Sequence, residues 1–148
     1  MTLNFNNYKG GLIMKLTSNE KIRNQKIAKD LIKFIQDKGF WGDLCIFFNG
    51  KALSSESSWN VWKGVLISAK KNKITEEVNK VYEYTDIDSP KNWTEYANEK
   101  SVTIVFDGLF YDYIHLIPNS WDSLQEVLDK YDAYFEVGHS TDLSIYFN

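Results

Sequence analysis

The hydrophobic period of the chain switches from 3.6 residues to 2 near residue 40, and this switch does most to limit what the chain can fold into. Over residues 18–38, Ile27, Leu31, Phe34 and Ile35 recur at three- and four-residue steps, with Ala28 and Ile32 widening the stripe. Lys21, Lys26, Lys29, Lys33 and Lys38 take the other faces. Thr17 and Glu20 have capping-box spacing, each able to satisfy the other's backbone N–H, and Gly39 supplies a left-handed stop. An amphipathic helix is the reading. Beyond it, Leu44-Cys45-Ile46-Phe47-Phe48 is apolar on both faces, as an interior strand requires. Asn49-Gly50 is the pair that a two-residue hairpin selects, and Lys51-Ala52-Leu53 starts the returning strand.

Further short runs follow. Residues 61–67 read as a strand and 70–73 as a basic loop tip, while 78–87 has strand composition after a short lead-in. Ser89-Pro90 opens a turn or helical piece through Trp93 and Tyr96. Residues 101–106 form a strand with Val102, Ile104 and Phe106 on one face, and Asp107-Gly108 turns into a strand-like run over 109–117 that Pro118 stops. Asn119 or Ser120 caps a second helix near 120–133 with the stripe Leu124, Val127, Leu128 and Tyr131. Tyr134-Phe135-Glu136-Val137 and Leu143-Ser144-Ile145-Tyr146-Phe147 make a terminal hairpin. The expected fold class is α+β, a mostly antiparallel sheet packed by an N-terminal helix and a second C-terminal helix. Leu31, Ile35, Ile46, Phe48, Ile104, Phe106, Leu124 and Leu128 are the expected core.

At 148 residues and 43% hydrophobic content the chain fits one domain, spanning 14–148. Residues 1–13 are either an arm or a mis-assigned start. Lys9-Gly10-Gly11 can be encoded as a ribosome-binding sequence just before the Met14 codon, so translation from Met14 is the alternative expectation. A single cysteine, Cys45, excludes an internal disulfide and sits in an apolar run that should raise its thiol pKa. No run approaches the roughly 18 apolar residues of a membrane span, and the basic-then-apolar layout of a signal peptide is missing. The expected location is cytoplasmic, with no membrane partner.

Catalytic constellations are thin. His115, in the strand-like run, reads as a hydrogen-bonded core or edge imidazole, and His139 as a solvated loop residue. Neither has a second His or Cys at zinc-site spacing. The pairs Asp86/Asp88 and Glu76/Glu77 read as solvated acids, and no phosphate loop, dinucleotide fingerprint or nucleophile elbow is present. The expectation is a protein that is not an enzyme and takes no cofactor or metal. A rival reading is a single-stranded nucleic-acid module, with Lys51, Lys63, Lys70, Lys71 and Lys73 beside Phe47, Phe48, Trp59 and Trp62. Against it stand a single arginine, Arg23, and a net charge of −3.

Charge is sorted by position. Residues 1–74 carry 13 Lys/Arg against 5 Asp/Glu, and residues 75–148 carry 4 against 15. From Asp107 onward eight carboxylates face one lysine, Lys130, a field that repels polyanions and attracts basic surfaces. On the second helix Asp122, Glu126 and Asp129 step by four and three residues, and Asp129 and Asp132 fall toward the negative end of the helix dipole. Carboxylates in an unfavourable place suggest docking of a basic protein, with Trp121 and Tyr134 as aromatic anchors, the alternative being a solvated face that serves solubility.

Three runs carry a family resemblance. They are residues 97–111, from Ala97-Asn98-Glu99-Lys100 to Leu109-Phe110-Tyr111; residues 130–139, Lys130-Tyr131-Asp132-Ala133-Tyr134-Phe135-Glu136-Val137-Gly138-His139; and Leu143-Ser144-Ile145-Tyr146. In their pattern of strand, helix and hairpin, they resemble small bacterial immunity proteins encoded beside polymorphic toxins. The resemblance implies a non-enzymatic inhibitor that binds a cognate toxin domain, many of these toxins being basic nucleases. The expected partner-binding set is Tyr111, Asp112, Trp121, Asp122, Glu126, Asp129, Asp132, Glu136, His139 and Asp142.

Overall fold

The computed structural model describes residues 15–55 and 85–148. The strand expected at 61–67, the basic tip at 70–73, most of the 78–87 segment and the N-terminal arm lie outside these residues. Helix α1 runs Ser18–Asp37. Its start is the expected capping box: Glu20 N–H donates to Thr17 Oγ1 at 3.1 Å, and Thr17 N–H donates to Glu20 Oε1 at 2.8 Å. The backbone N–H of Thr17 holds the Glu20 carboxyl below its usual value.

Strands β1 (Leu44–Phe48) and β2 (Lys51–Ser54) pair Phe48 with Lys51, so Asn49 and Gly50 form the whole connection. Both are left-handed, at φ 52° and 72°, as a turn matching the twist of the strands requires. The short strand β3 (Thr85–Asp86) joins β2, and β4 (Val102–Phe106) pairs with the other side of β1. After helices α2 (Gly108–Leu116) and α3 (Ser120–Asp129), the hairpin β5 (Ala133–Val137) and β6 (Asp142–Phe147) completes the sheet. The strand order is β3-β2-β1-β4-β6-β5, with every neighbour antiparallel. The fold is α+β, and the described residues hold three α-helices where two were expected.

The third helix is α2, where a strand-like run was expected. Phe110, Tyr113 and Ile114 lie at i, i+3 and i+4 and are buried together, while Leu109 and Leu116 point outward. Asp107 caps it by accepting from Gly108 N–H at 2.9 Å. Gly108 is itself left-handed, at φ 59°, and a Cβ there would lie 2.5 Å from Asp43 Oδ2. Only glycine lets the chain leave β4 this sharply.

All three helices cover one face of the sheet. Leu44, Ile46, Phe48, Leu53, Ile104, Phe106, Leu143 and Ile145 meet Ile27, Leu31 and Ile35 of α1, Phe110 of α2, and Leu124 and Leu128 of α3 in one cluster. The eight expected core residues are all buried. The opposite face is polar and partly roofed by residues 89–101. Thr103 and Ser144 share a hydrogen bond of 2.7 Å, Asn98 N–H donates to Thr103 Oγ1, and Asn98 Nδ2 and Ser101 Oγ donate to the Ile145 carbonyl. Phe47 is buried on this side against Trp93, with ring centroids 5.2 Å apart.

Candidate partner-binding surface

Helix α3 presents Asp122, Glu126 and Asp129 on its outer side, and all three are exposed. None of them, nor Asp112, Asp132 or Glu136, makes an ion pair among the described residues. Lys130, the one cation in this third of the chain, is spent elsewhere: its Nζ lies 2.9 Å from Asp30 of α1. Tyr131 also donates to Asp30. Burial works to raise the Asp30 carboxyl, but the hydrogen bonds from Tyr131 and Lys130 outweigh it and hold the group below its usual value. Among the described residues no cation forms an ion pair with the stripe, although Glu126 lines one concavity with Lys33 and Lys130.

An apolar patch adjoins the stripe where α2 gives way to α3. Leu109, Leu116, Ile117 and Trp121 are all exposed large hydrophobics, Leu116 to 69%. Leu109, Asp112 and Leu116 share one side of α2 by their spacing. Trp121 is held rather than loose. Its Nε1–H donates to the Ile114 carbonyl at 2.8 Å, an acceptor at the end of α2 that also takes the Ser120 hydroxyl at 3.4 Å, and its ring sits edge-on to Phe135 at 5.4 Å. A rigid indole with its polar atom already satisfied can give an apolar face to a partner at little entropic cost. The concavity beside it, about 360 Å³ and lined by Ile114, Ile117, Trp121 and Asp122, is open and more polar than apolar. Clefts that enclose small ligands are closed and apolar.

The ten expected partner-binding residues do not form one surface. Asp112, Trp121, Asp122, Glu126 and Asp129 lie on the helical layer. Asp132 follows α3 in a left-handed turn (φ 55°), where its carboxylate accepts from Asn148 Nδ2 at 2.9 Å. Tyr111 and His139 come to one end of the molecule through His115. The His115 ring lies 4.5 Å from Tyr111, and its Nε2–H donates to the Ser140 carbonyl at 2.6 Å. His115 is thus exposed on a helix end, not a core or edge strand imidazole. His139 is exposed against Tyr96 and 3.6 Å from Glu95.

Two assignments change. Glu136 is exposed but pairs across from Ser144, on the sheet face away from the helices. There it adds to burial, the leading cause, in pushing the Tyr146 phenol up. Asp142 is 2% exposed and is removed from the surface set. Its oxygens accept from Thr94 Oγ1 at 2.7 Å and His139 N–H at 3.1 Å, so the carboxylate fastens the roof to the β5–β6 turn. Sequence reasoning also passed over Leu109, Leu116 and Ile117. Three apolar residues bracketing a buried i, i+3, i+4 triplet were the available signal.

Elsewhere the chemistry is quiet. Burial pushes the Cys45 thiol up to about 12, which leaves it protonated and unreactive. Among the described residues no group of three or more His, Cys, Asp or Glu side chains could hold a metal ion, and no helix is long and apolar enough to cross a membrane. For the nucleic-acid reading, Phe47 and Phe48 are buried and so offer no face for base stacking, and Lys51 pairs with Asp86 at 3.1 Å. Trp59, Trp62, Lys63, Lys70, Lys71 and Lys73 lie outside the described residues. Comparison of the chain with protein-family models, curated proteins and solved structures gives no match in any of the three.

Proposed function

We propose that this chain is an immunity-type inhibitor that binds and neutralises a cognate basic toxin, of nuclease type, through the acidic α3 surface and the α2–α3 junction. One observation carries the reading. A held, half-exposed Trp121 lines one concavity with Ile117 and Asp122, on a helix whose carboxylates form no ion pair among the described residues. An apolar centre with a charged rim is the usual layout of a protein interface, the centre supplying affinity and the rim supplying steering and selectivity. Neutralisation needs only occlusion of the toxin's own phosphate-binding surface, for which a carboxylate stripe is a direct competitor. The resemblance of the last third of the chain to immunity proteins supports the same reading.

The test is co-expression. The C-terminal domain encoded by the adjacent gene is expressed alone and together with this chain, and survival is counted. Toxicity relieved by the chain is the expected result. A non-toxic neighbour from an unrelated metabolic operon, or toxicity that the chain leaves unchanged, would count against it.

A further inference from the structure

Among the described residues strand β5 ends the sheet, and no strand pairs with its outer edge. The phase of its ladder is set by two bonds: Gly138 N–H donates to the Asp142 carbonyl at 3.2 Å, and Asn148 N–H donates to the Asp132 carbonyl at 3.1 Å. Residues 132, 134, 136 and 138 therefore turn their backbone groups toward β6, and Ala133, Phe135 and Val137 turn theirs outward. Gln125 Nε2 agrees with this phase, donating to the outward Ala133 carbonyl at 2.8 Å. Among the described residues nothing meets the outward N–H and C=O groups of Phe135 and Val137.

We propose that this edge receives an extended segment of the basic partner as an added strand, one whose side chains alternate between cationic and apolar. The alternation follows from the two sides of β5. On the helical side, Phe135 and Val137 are half-buried, Phe135 against the exposed ring of Trp121, which suits apolar side chains. On the other side stands Glu136, exposed beside Tyr134, with Asp132 just before the strand. An incoming lysine or arginine there meets carboxylates with which no described cation forms an ion pair. Open edges are ordinarily blunted by lysine, proline or a bulge. This strand carries none of these. A second copy of the chain is the weaker occupant, since antiparallel pairing of two β5 edges would bring two sets of Asp132 and Glu136 together. The partner's positive charge rests on the function proposed above. The strand geometry does not.

The experiment uses the full chain, labelled with ¹⁵N, and a short blocked peptide of alternating lysine and valine. Binding should slow amide exchange at Phe135 and Val137 while leaving Tyr134 and Glu136, already bonded to β6, unchanged. Val137→Pro removes an outward donor and no ladder bond, so the fold should persist while affinity falls roughly three- to tenfold. Two further peptides, N-methylated at alternate residues in opposite phases, test the same bonds without altering the protein. One phase should lose binding and the other keep it. An alternating glutamate–valine peptide should not bind. Absence of binding, binding without protection at Phe135 and Val137, or equal binding of both methylated phases would overturn the proposal. So would concentration-dependent protection of the same amides without peptide, which would name a second copy as the occupant. Because no toxin is used, these results stand whether or not co-expression identifies one.

Discussion

Replacing Asp142 tests whether a single buried carboxylate joins the two layers of the polar face. The group is 2% exposed, makes no ion pair among the described residues, and accepts hydrogen bonds from Thr94 Oγ1 at 2.7 Å and His139 N–H at 3.1 Å. A hydrogen bond to an ionised acceptor contributes roughly 1.5–3 kcal/mol. Thr94 lies at the buried limit, so its bond takes the upper part of that range. The His139 amide sits in an exposed loop that water reaches, so its bond takes the lower part. Removing the carboxylate also removes its desolvation cost, leaving a net loss of about 2–3 kcal/mol for Asp142→Ala. At roughly 2–4 °C per kcal/mol for a chain of this size, the melting temperature should fall by about 5–10 °C. Asp142→Asn keeps an acceptor for the His139 amide and should lose about 1 kcal/mol. Thr94→Val strands one carboxylate oxygen in a buried site and should cost roughly 1.5–3 kcal/mol. Thermal melts followed by circular dichroism, with urea titrations as a cross-check, read all three. An Asp142→Ala variant melting with the wild type would refute the argument, since neither bond could then be contributing.

Other expectations follow from the same contacts. Leu124→Ala, at a fully buried position beneath α3, should cost about 2–5 kcal/mol by urea denaturation. Gly108→Ala forces a left-handed alanine, at about 1–2 kcal/mol, and drives its Cβ against Asp43. Adding Asp43→Gly should restore part of the loss, and full additivity of the two changes would contradict this. Burial first, and then the Asp30 carboxylate, push the Tyr131 phenol up to about 12 from an ordinary value of 10. The folded chain thus holds this proton more tightly than the unfolded one. Its stabilisation is complete below pH 10 and is lost as the pH rises toward 12. The opposite shift of Asp30 gives stability that is present above its ordinary value of 3.8 and fades as the pH falls through its lower folded value. Tyr131→Phe should flatten the alkaline limb in a pH series of melts, and an unchanged limb would contradict the pairing. With its thiol pushed up to about 12, half-buried Cys45 should react with a thiol reagent at neutral pH far more slowly than in the unfolded chain.

The elements legible in the sequence were those whose signals are local. The Thr17–Glu20 capping box, the stripe from Ile27 to Ile35, the Asn49-Gly50 turn and the alternation of Val102, Ile104 and Phe106 all depend on neighbours within a few residues, and each took the expected form. Helix α2 was masked by its own composition. Leu109, Leu116 and Ile117 are apolar yet exposed, so the stripe of Phe110, Tyr113 and Ile114 did not stand out against a polar face. The surface they create was hidden for the same reason. Asp142 could not be told from a surface acid, because its partner Thr94 is 48 residues away in the chain. Glu136 joins the expected partner-binding set because charge reads along the chain, whereas strand alternation puts it on the other side of the sheet. The acidic stripe itself was legible from its four- and three-residue steps, and the pairing of Lys130 with Asp30 was not, since that depends on Lys130 reaching across to α1.

The most direct measurement of the central claim is the affinity and protection retained when the stripe is reversed. Asp122, Glu126 and Asp129 are replaced together by lysine, the fold is checked by its melting temperature, and the variant is titrated against the C-terminal domain encoded by the adjacent gene, the proposed toxin, and co-expressed with it. Close interfacial charge pairs couple by about 1.5–7 kcal/mol, so binding should weaken by orders of magnitude and survival should be lost while the free protein remains folded. A folded triple variant that binds with wild-type affinity and protects the cell in full would contradict the account.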